Sequence, residues 1–255
     1  MCVCTATLAL AQSEETGISP ESIRKGYLYK TEWSVDAALH TNGFYFGFNT
    51  GTIQTYRKTR INHFGIGILY HPLETRISQP TGFSYRNYSS YKFGKVNHLI
   101  NLRAGRGNIL TLTEKARKKG IALGLRYEGG VTLGLLKPYY LQVREERDGV
   151  IVAREIRYGD APEDFLNPDH ILGRGSFFKG MDKIKLVPGL FGRLAFRFDP
   201  GAYDNFIRTV ETGIQVDLYA SKPEIMVSEK NAQYYLNFYL NLQLGSRRTQ
   251  AGKSN

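Results

Sequence analysis

The sequence predicts an all-β chain: an antiparallel, up-and-down transmembrane β-barrel of about eight strands with an extended external hairpin and cap. Three observations predict it. First, the segment from Tyr234 to Gly245 alternates along its whole length, with Tyr234, Leu236, Phe238, Leu240, Leu242 and Leu244 on one face. Asn237, Asn241, Gln243 and Gly245 lie on the other. The segment is about twice the roughly 5–6 residues of an ordinary strand. Second, seven further segments show the same period of two. Third, their charged residues lie opposite the apolar stripe. A lipid-facing charge near the midplane costs roughly 2–4 kcal/mol, so the charged face reads as lumen and the greasy face as the lipid side.

Composition sets the bounds. A chain of 255 residues is long enough for one large all-β domain. Mean hydropathy is −0.34, and no run approaches the roughly 20 apolar residues of a membrane helix. Alternating strands average to a polar score, so this leaves a barrel open. Tyr (17), Phe (14) and Gly (27) are abundant. Tyr suits the water–lipid boundary, and Gly suits crowded interiors. The net charge of +11 raises nucleic acid as a partner, but the basic residues form no stripe among stacking aromatics, which excludes that class. Ala9-Leu10-Ala11 fits the small-x-small rule, so 1–11 reads as the residue of a signal peptide cleaved after Ala11, and 12–30 as an N-terminal lead. Cys2 and Cys4 both fall in that signal, so the mature chain offers neither a disulfide nor a Cys-ligated metal.

The strands follow in order. The first, 31–40, sets Trp33, Val35, Ala37 and Leu39 against Glu32, Ser34 and Asp36. Asn42-Gly43 is a hairpin signal. The second, 44–55, alternates Phe44, Phe46 and Phe48 with Tyr45, Gly47 and Asn49, and the third, 61–71, sets Phe64, Ile66 and Ile68 against His63, Gly65 and Gly67. The fourth, 94–106, sets Ile100, Leu102 and Ala104 against Asn101 and Arg103, and Gly105-Arg106-Gly107 reads as its end. The fifth, 121–135, sets Leu123, Leu125, Tyr127 and Val131 against Arg126, Glu128 and Thr132. The sixth, 184–198, carries Lys185, Arg193 and Arg197 on its inward face, and the seventh, 207–220, carries Glu211, Gln215 and Asp217 there. The eighth is the segment ending at Gly245.

An even strand number puts both termini on one side, by rule the periplasm, with short inner turns and long outer loops. The connections 72–93 and 137–183 are the longest and fall outside; 56–60 and 199–206 are short and fall inside. The short outer turn 41–43 and the long inner segment 107–120 fit the rule less well. Within 137–183, the runs Tyr139–Arg147 and Val150–Tyr158 flank Asp148-Gly149, a hairpin turn. The Pro, Gly and Asp content of 159–182 reads as an irregular cap.

The inward charges balance in sign: Arg103, Arg126, Lys185, Arg193 and Arg197 against Glu32, Asp36, Glu128, Glu211 and Asp217. An eight-stranded interior is just filled by side chains, so these charges read as a structural lumen network, with Glu211 placed between Arg193 and Arg197. A proton or ligand site is the functional alternative. A second basic group, Arg57, Lys58, Arg60, Lys115, Arg117, Lys118 and Lys119, joined by Arg247 and Arg248, maps to the periplasmic rim. Such a rim holds anionic headgroups or docks an acidic partner.

Chemistry is sparse. The five histidines, His40, His63, His71, His98 and His170, show no metal-ligand spacing. His71, Ser78, Ser84, Ser89 and Ser90 lie in or near one outer loop, the place where a lipid-modifying enzyme would keep a Ser/His site, but a solvated loop explains them. Gly173-Arg174-Gly175 has the form of an anion nest, a signal of low specificity. No catalytic, cofactor or metal residue is assigned.

With eight amphipathic strands, a signal tail and the ending Tyr-Leu-Asn-Leu-Gln-Leu-Gly-Ser-Arg-Arg, the chain resembles the small outer-membrane β-barrel proteins of the Bacteroidetes type, including the PorT-like group. The resemblance implies outer-membrane location and no known catalysis. The expectation is a barrel over 31–246 with a basic tail over 247–255, in the bacterial outer membrane. Its expected work is structural, binding or accessory to envelope assembly or secretion. Its partners would be outer-membrane lipids and a periplasmic or outer-membrane protein. An outer-membrane lipid-modifying enzyme and a secreted lipocalin-like binder with inverted faces are the alternatives.

Overall fold

The computed structural model describes residues 29–77, 90–113, 121–147, 149–200, 205–228 and 230–249. In chain order the strands are β1 (Thr31–His40), β2 (Gly43–Ile53), β3 (Lys58–Leu69), β4 (Arg76–Ile77), β5 (Tyr91–Lys92), β6 (Asn97–Thr111), β7 (Ala122–Pro138), β8 (Tyr140–Arg147), β9 (Val150–Arg157), β10 (Ile171–Arg174), β11 (Lys185–Asp199), β12 (Phe206–Tyr219) and β13 (Tyr234–Arg248). One short helix, α1 (Pro162–Leu166), lies between β9 and β10. Eight strands close into an antiparallel barrel in the order β1-β13-β12-β11-β7-β6-β3-β2. All are neighbours in sequence or joined through a cap, the up-and-down pattern. Closure leaves no strand edge, as a chain in lipid requires.

The two faces of the wall have opposite chemistry. Along β13 exposed and buried residues alternate without a break from Tyr234 to Gly245. Phe238 is 62% exposed, while its neighbours Asn237 and Asn241 are fully buried. The same holds on β7, where Tyr127 and Val131 are exposed and Arg126 is fully buried. Apolar outside and charged inside is the inverse of a soluble barrel, so the wall is built for lipid.

The ends of the barrel differ as well. The terminal end closes with short connections between β2 and β3 and between β11 and β12. The other end carries the long connections and a cap, which places the cap outside. In the cap, β10, β8 and β9 form a three-stranded sheet, with β8 and β9 joined at Gly149. The cap has its own apolar core of Tyr91, Tyr139, Leu141, Val143, Ile156, Phe165 and Ile171. The connection between β12 and β13 folds over the mouth and bridges Lys95 to Met226.

Several expectations change. The Gly-Arg-Gly triplet predicts a strand end at 106, but β6 runs on to Thr111, which also shortens the inner connection. The glycine is an accommodation: a Cβ at Gly105 would lie 2.6 Å from the Phe191 ring, which fills the lumen opposite. Lys185 shares the inward parity of β11 yet is exposed, because it stands at the outer tip where β11 has left the lumen. The 159–182 segment is more regular than its composition predicts, holding α1 and β10. The signal tail, the lead up to residue 28, and Lys115, Arg117, Lys118 and Lys119 lie outside the described residues.

Candidate functional site

The lumen is solid. Arg126, on β7, lies at its centre. It donates to Glu128 Oε2 at 2.7 and 3.0 Å, to Glu211 Oε2 at 3.1 Å and to Asn49 Oδ1 at 2.9 Å. Arg103 binds Asp217 through two parallel hydrogen bonds of 2.9 and 3.1 Å, the fork geometry that suits guanidinium and carboxylate. Arg193 donates to Gln215 Oε1 and approaches Glu128 Oε1 to 2.8 Å, a close charge pair that lies off the hydrogen-bonding direction. Its guanidinium also covers the rings of Tyr45 at 4.4 Å and Tyr239 at 5.2 Å. Glu32, Asp36, Arg103, Arg126, Glu128, Arg193, Arg197, Glu211 and Asp217 are all buried.

Register explains the pairings. Arg197 lies opposite Glu211 in the β11–β12 ladder, and Arg193 lies opposite Gln215. Glu211 therefore joins Arg197 to Arg126, whereas the sequence reading set it between Arg197 and Arg193. Arg193 turns to Glu128, its partner in the β11–β7 ladder. Asp36 stands 3.8 Å from both Arg126 and His63. Arg247, expected in the exposed basic rim, is the last inward residue of β13. It is 3% exposed and pairs with Asp199 at 2.8 Å and Glu32 at 3.3 Å. Strand parity carries this signal, since Arg247 is six residues on from Asn241 on the same face.

Above the charged layer the lumen becomes apolar. Leu69, Leu99, Leu136, Val187, Tyr219 and Tyr235 meet Ile225 and Met226 of the folded-over connection and seal the outer mouth. Among the described residues an ion-paired layer and an apolar plug therefore stand in series across the lumen.

The described part of the basic rim sits at the inner edge of the wall. Arg57 stacks on Tyr56, Lys58 opens β3, and Arg60 is exposed on the lipid side of β3, opposite Asn108. One pair above, Arg106 donates to Asn62 at 2.9 Å. These polar pairs mark the lower edge of the apolar belt. Its upper edge is the pair His98 and Lys137 across the β6–β7 ladder. Eight residues of β6 separate His98 from Arg106, about 27 Å of strand and about 20 Å of height at the usual tilt, which suits a thin bilayer.

The outer edge holds a cavity that the sequence did not announce. It has a volume of about 690 Å³ and lies between the outside of the wall and the cap, bounded by Ile68, Tyr70, His98 and Lys137 below and by Tyr140, Arg174, Ser176 and Phe177 above. Arg76 and Lys92 complete its basic lining, and among the described residues no acidic side chain lines it. Of the Gly-Arg-Gly triplet of the cap, Arg174 and Gly175 line this cavity. The Gly175 amide donates to the Tyr140 carbonyl at 2.7 Å and forms no nest.

No Ser/His pair forms among the described residues. The His71 ring accepts from the Leu73 amide at 3.2 Å and faces the Lys230 carbonyl at 3.4 Å, while Ser90 accepts from Arg76 at 2.6 Å. Ser78, Ser84 and Ser89 lie outside the described residues. Among the described residues no group of three His, Cys, Asp or Glu side chains is placed to hold a metal ion.

A closed eight-stranded antiparallel barrel with paired charges inside and a belt of Phe, Leu, Ile and Val outside is a membrane-spanning β-barrel of the bacterial outer-membrane type. No protein-family model matches the chain, and no curated protein matches it. Among solved structures the chain is similar to Ail, the attachment invasion locus protein of Yersinia pestis, at 10% identity, over 87% of this chain and 97% of that one, with a TM-score of 0.38. It is similar to Neisserial surface protein A at 7% identity, over 87% and 97%, with a TM-score of 0.35. A third likeness is the N-terminal β-barrel domain of OprF of Pseudomonas aeruginosa, at 7% identity, over 87% and 98%, with a TM-score of 0.33.

Proposed function

We propose that this chain is a non-catalytic outer-membrane barrel that works through its external cap and rim, as a binding or accessory component of the envelope, and that it conducts nothing. The observation that carries this is the lumen: an ion-paired layer centred on Arg126, sealed by Tyr219, Tyr235, Ile225 and Met226. A barrel so filled acts as a membrane anchor, and the part built to meet partners is the cap, which has its own core. The role in envelope assembly or secretion that the PorT-like resemblance implies belongs to this reading. It rests on the strand pattern and the ending of β13. Periplasmic docking through Arg57, Lys58, Arg60 and the 115–119 cluster is its second arm, supported by the density of basic residues at that edge.

The test combines gel mobility and conductance. Protein taken from the outer-membrane fraction should run in a compact form that shifts on boiling, and should give no steady conductance in planar bilayers. A stable open conductance would overturn the filled-lumen reading. A change in lipid A mass on deletion of the gene would favour a lipid-modifying enzyme. Reversing Lys115, Arg117, Lys118 and Lys119 together should abolish recovery of a periplasmic partner; unchanged recovery removes the docking arm.

A further inference from the structure

We propose that the outer cavity and the apolar groove beneath it form one binding site for an outer-leaflet lipid whose headgroup carries phosphate. The inference rests on the membrane reading above and names a ligand for the rim.

The cavity supplies the headgroup end. Lys137 is 1% exposed, and its ammonium lies 4.4 Å from the centre of the Phe177 ring. Among the described residues it makes no ion pair and no hydrogen bond, although it borders a cavity of about 690 Å³. A buried cation without an anion is costly, and an anion entering the cavity would offset that cost. Arg76 and Lys92 add positive charge to the same lining. Two carboxylates of the surrounding loops and cap are already engaged: Glu74 binds Lys92 and Lys95, and Glu155 binds Lys179 and the Ser176 amide.

The wall supplies the acyl end. His98 and Lys137 are paired in register, with Ile100 and Leu135 paired one step below. Ile68, which lines the cavity, is opposite Ile100. The next pairs down, Ile66 with Leu102 and Phe64 with Ala104, line a groove of about 750 Å³ on the lipid-facing side of the same strands. Ala104 keeps it open between larger neighbours. Basic cavity and apolar groove are therefore one lattice step apart, about 7 Å along the strand. A charged headgroup above and hydrocarbon directly below, at the level where the apolar belt ends, is the shape of a lipid and not of a free anion.

The experiment uses the full chain in a non-ionic detergent, with bound lipid counted by native mass spectrometry. Dioleoyl phosphatidic acid should bind one molecule per chain in preference to dioleoyl phosphatidylcholine. Lys137→Met keeps the stem and removes the charge, and should weaken phosphatidic acid at least about tenfold, in line with the loss of one charge-assisted contact. Ala104→Trp fills the groove and should weaken it without altering any charge. Arg154→Met, on the exposed side of the cap, should leave binding unchanged. Equal binding of the two lipids, or full binding by both Lys137→Met and Ala104→Trp, overturns the proposal. Displacement of the lipid by millimolar inorganic phosphate would show a site for the free anion and overturn the lipid assignment. Heat-shifted mobility is read on each variant, and conductance on the parent. A barrel that forms and stays closed yet binds no phosphatidic acid refutes this site alone, whereas an open conductance refutes the filled barrel.

Discussion

Arg126 on β7 reaches across the neighbouring β11 to meet Glu211 on β12 at 3.1 Å, in the middle of the lumen. Both side chains are fully buried. The pair therefore ties strands that share no ladder. Replacing Arg126 with Leu leaves Glu128 and Glu211 facing each other without their shared cation. The expected cost is about 3–5 kcal/mol, the range for breaking a buried pair from one side. Adding Glu211→Gln to Arg126→Leu removes one of the two like charges left facing each other and should recover part of it. The check is the temperature at which the compact gel form converts to the extended one. Equal conversion temperatures for parent and Arg126→Leu would show that the pair holds nothing together.

Gly105 and Phe191 form a second dependency inside the barrel. A Cβ on residue 105 would stand 2.6 Å from the tip of the Phe191 ring and 3.0 Å from the Gly129 carbonyl. The ring is hemmed in by the His63 ring, edge-on with centres 6.3 Å apart, and by the Arg193 guanidinium at 5.8 Å. Gly105→Ala should cost about 1–3 kcal/mol, as overpacking does. Phe191→Leu in the same chain shortens the obstructing side chain and should restore part of the loss, readable as the urea midpoint of refolded protein. A Gly105→Ala chain as stable as the parent would mean that the ring is held loosely.

These two cases mark what the sequence disclosed. Alternation set the strands and their faces, because in lipid a one-residue slip would send Arg126 or Glu211 outward. The nine lumen charges were legible for that reason. Their pairings were not, since a partner such as Glu211 depends on register across strands distant in sequence. Arg247 was missed because Gly245 and Ser246 look like a strand end, although parity continues through them. The outer cavity was hidden for another reason. Lys137 and Arg174 come together only when the cap folds back over the wall, and no local pattern encodes that.

The orientation of the two faces makes a direct prediction. Leu240 stands in register with Leu39 on one side and Thr212 on the other, within the apolar belt, and is 52% exposed. In lipid, Leu240→Arg should cost about 2–4 kcal/mol at mid-depth. On a water-exposed surface of a lipocalin-like barrel the same change would cost almost nothing. Refolding into phosphatidylcholine vesicles with urea titration separates the two. An unchanged midpoint would reverse the assigned faces.

The outer loops carry a pH response that differs from that of the barrel. Lys95, between β5 and β6, is fully buried and lies 2.6 Å from Glu74. Burial lowers its ammonium to about 8, against the upward pull of the Glu74 carboxylate. For Glu74 burial acts upward, but Lys95 and the hydrogen bonds from Lys92, Lys95 and the His71 amide outweigh it and hold the carboxyl below its ordinary value of 4.5. On the acid side, the opened loop takes up protons before the closed one does. Closure is therefore fully favoured by Glu74 above 4.5 and loses that support as pH falls through the lowered value. On the alkaline side, the opened loop keeps the Lys95 proton up to about 10.5 while the closed loop releases it near 8. Between these values the opened form binds more protons, so closure strengthens as pH rises, by on the order of 3 kcal/mol over the whole window. Amide exchange in 71–77 and 90–96, corrected for the intrinsic rate, should show protection falling in acid and rising from neutral to alkaline pH. Glu74→Gln should abolish the acid limb and keep an alkaline rise. Protection that stays flat across both limbs would mean that the pair does not govern how the loops close over the barrel.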